Sequence, residues 1–179
     1  MTQEQIRYAK ETGNLHLSFW DKFTHYGIVL GIGAIPLVVV GAILINNTKH
    51  SKPVDSFLVL FAIVPSIVAV IAFILQKNRL KFEVVDTSLE QEKIEAIIED
   101  VASKLNWEFY KKNKEIIVAK THPSFFSGSW GEQITILLDK NKVFVNSICD
   151  PDKRSSVTSM GRNKKNENTL IKALKKASS

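Results

Sequence analysis

The chain has 179 residues, room for one compact domain and a small accessory region, and carries a formal net charge of +6. Its only cysteine, Cys149, excludes an intrachain disulfide and a thiolate metal cluster, and fits a reducing compartment. The hydrophobic fraction of 45% is ordinary, but it is very unevenly distributed.

Residues 1–26 form a mostly polar N-terminal segment, cytoplasmic or interfacial in this reading. Ser18 followed three positions later by Asp21 reads as a helix start. Trp20, Phe23 and Tyr26 crowd the entry to the first apolar run, as an interfacial aromatic belt does. Residues 27–45 and 57–75 contain no charged residue. At a rise of ~1.5 Å per residue each run spans about 28 Å, close to the ~30 Å hydrocarbon thickness, so two transmembrane helices are expected. The first is too long for a signal peptide's apolar region, and no A-x-A-type cleavage site follows it. The loop 46–56 joins the two as a hairpin. Gly27, Gly31, Ala34 and Gly41 on one helix, and Ala62, Ser66 and Ala69 on the other, offer small faces for close packing. Pro36 and Pro65 sit mid-span without an ionisable companion, which reads as two tolerated kinks and not as an ion site.

Lys22, Lys77, Arg79 and Lys81 flank the outer ends, against Lys49 and Lys52 in the loop. The positive-inside rule then puts both termini in the cytoplasm of a two-span cell-membrane protein.

Residues 80–179 read as a soluble α+β domain. A strand is expected at 82–86, then a helix capped by Thr87 and Ser88 with Gln91 completing a capping box. That helix buries Ile94, Ile97, Ile98, Val101 and Leu105. Strands follow at 106–111, 115–121, 132–139 and 142–149, and a helix at 166–177. The order β-α-β-β-β-β-α suggests a two-layer fold, a mostly antiparallel sheet with helices on one face. If the first strand leaves the bilayer, loops 122–131 and 150–163 both face back towards it.

Those loops hold the candidate contacts. Phe125, Phe126 and Trp130 are unusual in a loop, and Arg154, Arg162, Lys164 and Lys165 lie in the second stretch. Aromatics beside arginines suit lipid headgroups or a membrane-protein partner. Lys111, Lys112, Lys114, Lys140 and Lys142 at the far turns lack the interleaved aromatics and arginines of a nucleic-acid platform, so no nucleic acid is expected. The histidines, His16, His25, His50 and His122, show no metal-ligand spacing, and no cofactor or metal is expected. A Cys149–His122 nucleophile is conceivable, but a buried inert thiol is the simpler reading. The sequence thus points to a non-enzymatic, membrane-anchored module whose basic domain meets anionic lipid or a membrane protein. The alternative is an enzyme or sensor for a small phosphorylated ligand, with its site between loops 122–131 and 150–163.

Overall fold

The computed structural model describes residues 1–50, 56–123, 130–156 and 159–178, with backbone only for 46–50. Helix α1 (Gln3–Thr12) opens on a capping box in which Thr2 Oγ1 accepts from Gln5 N and Gln5 Oε1 accepts from Thr2 N. It closes on Gly13 at φ 67°, a left-handed cap that suits glycine. A short extended stretch carries buried Leu15 and Leu17 to the next helix. There Ser18 and Asp21 make the reciprocal pair their spacing suggests, at 3.2 Å each way. Helix α2 (Phe19–His50) and helix α3 (Ser56–Arg79) are both long and apolar enough to cross a membrane.

These two helices pack on each other through Pro36 and Pro65 without a break. The less exposed residues of α3 are Ala62, Pro65, Ala69, Ala72, Gln76 and Arg79, a 3-4-3-4-3 spacing that makes one seam. On α2 the matching positions are Val29, Ile32, Gly33, Pro36, Val39 and Ile43. This turns the α2 face away from the expected one. Gly31 and Ala34 are exposed, and a Cβ added at Gly31 or Gly41 meets nothing within 4 Å. Gly33 is the glycine that faces the partner helix, where an added Cβ would lie 3.9 Å from Ala69 Cβ. Gly27 instead faces Ser155, at 3.3 Å. Ser66 is exposed, its hydroxyl donating to Ala62 O at 2.7 Å, while Ala62 and Ala69 lie on the seam. The reason is that large β-branched residues fill the seam as readily as small ones, so small size alone does not choose the face.

After α3 come β1 (Glu83–Asp86), α4 (Gln91–Leu105), β2 (Trp107–Lys112), β3 (Ile116–Thr121), β4 (Glu132–Asp139), β5 (Lys142–Cys149) and α5 (Arg162–Ser178). All pairings are antiparallel, in the order β1-β5-β4-β3-β2. Thr87 does not cap α4. Its hydroxyl accepts from Leu89 N in a turn before the helix, and Gln91 reaches Glu95 and Lys114 O instead. Helix α5 starts earlier than expected, with Ser159 Oγ accepting from Asn163 N at 3.1 Å.

The sheet is covered on both faces, so the domain has three layers and not two. Ile94, Ile98 and Val101 of α4 and Leu170 and Leu174 of α5 pack on Ile117, Ile134, Ile136, Val143 and Val145. On the opposite face Ile6 and Ala9 of α1, with Leu15, Leu17 and Phe82, cover Ile116, Leu137, Phe144 and Ile148. The N-terminal segment is joined to the exit of α3 by two backbone bonds. Leu15 N donates to Leu80 O at 2.7 Å, and Phe82 N donates to Gly13 O at 2.8 Å.

Candidate functional site

Strand β1 leaves α3 directly, and Asn146 of β5 donates through Nδ2 to Arg79 O at 2.8 Å and Lys81 O at 2.9 Å. This holds the Cys149 end of the sheet against the foot of the helix pair. The β5–α5 connection then reaches the helices themselves. Ile28 N donates to Ser155 Oγ at 3.0 Å. Gln76, only 1% exposed, donates through Nε2 to His25 O at 3.0 Å and to Ser156 O at 2.9 Å. The His25 ring Nε2 lies 3.1 Å from Gln76 O. One glutamine therefore ties α2, α3 and the domain at a single point.

Two charge pairs, each with a fully buried carboxylate, shape the same end of the sheet. Lys120 on β3 reaches Asp150 Oδ1 at 2.9 Å and also pairs with Asp152. Burial by itself pulls the Lys120 pKa down, but its bonds to Asp152 and Asp150 outweigh that and hold it above the ordinary lysine value. On β4, Glu132 is fully buried and takes Arg162 Nε at 3.1 Å and the Thr121 hydroxyl. Gly131, at φ 131°, lies where an added Cβ would meet Thr121 O at 2.8 Å, so only glycine fits between the strand and the preceding loop. Next to it Trp130 is exposed, and the Arg154 guanidinium stacks over its ring at 4.9 Å. Arg154 immediately precedes Ser155, so this stacked pair sits beside the docking point on α2.

Of the expected contact residues, Trp130 and Arg154 are brought together. Arg162 is engaged by Glu132, and Lys164 lies between Glu83 at 2.8 Å and Glu167 at 3.2 Å. Lys165 is exposed on the first turns of α5. Phe125 and Phe126 lie outside the described residues. At the other docking edge Phe19, Trp20 and Phe23 are exposed on the first turns of α2, in successive edge-to-face contact.

His122 and Cys149 take separate partners. His122 Nε2 lies 2.8 Å from Glu108 Oε2, while Cys149 is set against Asn163 Nδ2. Burial pushes the Cys149 thiol pKa up, only partly offset by the positive charge of Arg79. That is the opposite of an activated nucleophile. The described residues contain no group of three or more metal-ligating side chains.

Sequence reasoning missed the polar seam between β5 and α5. Trp107 Nε1 donates to Asn166 Oδ1, Asn166 Nδ2 to Ser147 Oγ, and Ser147 Oγ to Asn163 Oδ1, each at 3.2 Å. Ser147 N donates to Glu167 Oε1 at 3.0 Å, and burial raises the Glu167 pKa. Beside this seam lies a cavity of about 380 Å³, bordered by Leu75, Asn78, Arg79 and Lys81 from the foot of α3 and by Ser159 and Gly161 before α5. The missed signal was the run of Asn and Glu in NKKNEN, whose 3-4 spacing marks a helix face that is buried but polar.

No protein-family model matches the chain, and no curated protein matches it.

Proposed function

We propose that the chain is a two-span membrane anchor whose basic, non-enzymatic domain lies against the bilayer surface and engages anionic lipid headgroups there. The length and apolar surface of α2 and α3 support the anchor. Leu37, Val38, Leu44, Phe57 and Ile67 all project outward, which is costly in water and favourable in lipid. The observation that carries the lipid reading is the Arg154–Trp130 stack next to Ser155, whose hydroxyl meets α2 at Ile28. Stacking leaves the guanidinium edge free in geometry to take a phosphate, and indole is favoured at the headgroup level. The exposed Phe19, Trp20 and Phe23 at the start of α2 supply a second aromatic surface.

The test uses the full chain in nanodiscs, because α1 covers one face of the sheet and a 80–179 fragment would uncover it. In a Trp20→Phe background, Trp130 should be quenched by lipids brominated near the headgroup while buried Trp107 is not. Quenching should be stronger with anionic than zwitterionic lipid and fall as salt rises. Arg154→Ala should weaken that preference roughly fivefold, since each basic residue at such a surface contributes about 1 kcal/mol. Quenching that ignores lipid charge would reject the lipid reading in favour of a protein partner.

Orientation is proposed from the flanking lysines and arginines, with both termini cytoplasmic. In a Cys149→Ser background, an impermeant thiol reagent on intact cells should label a cysteine at position 47 and spare one at 179. The reverse pattern would invert the assignment.

A further inference from the structure

We infer that the cavity at the foot of α3 is a seat for a phosphate-type anion, held by Arg79 and Lys81. It deepens the surface reading by naming a second, recessed contact, and depends on that reading only for a lipid as the source of the anion.

The charges lining the cavity are not equivalent. Lys164 bridges Glu83 and Glu167, which accounts for both carboxylates. Arg79 and Lys81 make no ion pair among the described residues. Arg79 goes further, because its Nη1 has no hydrogen-bond partner; that atom is itself out of reach of solvent, so the guanidinium must turn towards the cavity to use it. An ionised donor left unsatisfied in a buried position is more costly than any neutral one, and an acceptor of opposite charge is its natural partner. The other lining groups suit an oxyanion. Ser159 supplies a buried hydroxyl and Asn78 a side-chain amide. Gly161, at φ 83°, would carry a Cβ with nothing within 4 Å, so there is open space next to the first turn of α5. That turn adds the positive end of a 17-residue helix. About 380 Å³ is ample for a phosphate ester and small for a nucleotide with its base and sugar fully enclosed. Leu75 also borders the cavity, so its lower rim is the last apolar turn of α3. A lipid phosphate could enter there with its acyl chains still in the bilayer, and a free phosphate could enter from the aqueous side.

The experiment is amide hydrogen exchange and thermal unfolding of the full chain in phosphatidylcholine nanodiscs. One arm adds inorganic phosphate, with chloride at equal ionic strength as control. The other replaces part of the lipid by phosphatidic acid. Slower exchange at residues 159–163 and a raised unfolding midpoint are expected in at least one arm. A response to lipid alone assigns a headgroup, and a response to inorganic phosphate assigns a soluble anion. Arg79→Met and Lys81→Gln should each shift the half-saturating dose roughly tenfold, the scale of one charge-assisted hydrogen bond, and Arg79→Lys should recover part of it. Lys81 is exposed, so its variant keeps the test alive if Arg79→Met does not fold. Arg154→Ala should leave this response intact, so the cavity and the Trp130 surface fail separately. No response in either arm, a response that chloride reproduces, or one that survives both variants overturns the assignment.

Discussion

Replacing Gln76 by leucine removes a side chain of α3 that reaches both α2 and the domain. Leucine keeps most of the volume and suits the apolar end of the helix, so the change is mainly one of hydrogen bonding. Two bonds disappear, from Nε2 to His25 O at 3.0 Å and to Ser156 O at 2.9 Å. Each buried carbonyl left unsatisfied costs roughly 1–3 kcal/mol, the lower figure holding where water can enter. Because Ser156 lies on a loop, that carbonyl can turn to solvent, whereas His25 O can still be held by its own helix. The expected loss is therefore about 2–3 kcal/mol, concentrated in the docking of loop 150–156 and not in the sheet. At about 1.4 kcal/mol per factor of ten, the loop should open about 30- to 140-fold more often. Hydrogen exchange of the full chain in nanodiscs reads this directly. Amides at 153–156 should exchange faster by that factor while those of β3 and β4 stay unchanged. If the loop keeps its protection in a folded Gln76→Leu protein, the glutamine is not what docks the domain on the helices.

Lys120→Met should cost about 3–5 kcal/mol in chemical unfolding, because it strands the fully buried Asp150 carboxylate. Adding Asp150→Asn should recover a large part, and an additive double variant would mean the pair is not coupled. In the helix pair, Gly33→Leu should weaken packing against Ala69 by roughly 1–3 kcal/mol, while Gly31→Leu on the open face should be nearly neutral in a membrane folding assay. Glu167 gives a pH signature. Burial raises its folded pKa above the unfolded value, so protonation favours the fold and the ionised form weakens it. Relative to Glu167→Gln, which does not titrate, the native chain should gain stability as pH falls from neutral through that raised pKa, and the gain should level off below the ordinary carboxylate value. A constant difference between the two proteins across that window would show that Glu167 is not perturbed.

The apolar runs of α2 and α3, and the strand-helix order after them, could be read from the chain because each follows from periodicity that needs no partner. The third layer could not be reached by reading 80–179 alone. Its clue was present in the strands, since IIVA, ILL and VFV are apolar on consecutive positions where a one-sided sheet would alternate. Continuous burial demands a second cover, and α1 provides it with only Ile6 and Ala9 buried, a stripe too short to announce itself. The start of α5 was hidden for the opposite reason. Asn163, Asn166 and Glu167 are buried through bonds to Ser147 and its neighbours, so a search for apolar positions passes over them. At the candidate site, Trp130 and Arg154 drew attention as residue types out of place in a loop, but their stacking needs tertiary structure to be seen. Arg79 looked like one more flanking positive charge, and only its place beside the cavity with an unpartnered Nη1 distinguishes it.

The bonds between Gly13–Leu15 and Leu80–Phe82, with α1 laid on the sheet, also constrain how the chain is made. Gln3 donates to Glu115, a partner 112 positions later, so α1 leaves the ribosome long before the strands it covers. Until β3 to β5 are synthesised, Ile6, Ala9, Leu15 and Leu17 have no sheet to rest on. If α2 and α3 cross a bilayer as proposed, the beginning of the chain must wait on the same side as the strands it covers while that helix pair is inserted. An insertion event that carried the N-terminus across would separate the two halves of one core. The packing of α1 on the sheet disfavours that product whatever the flanking charges do.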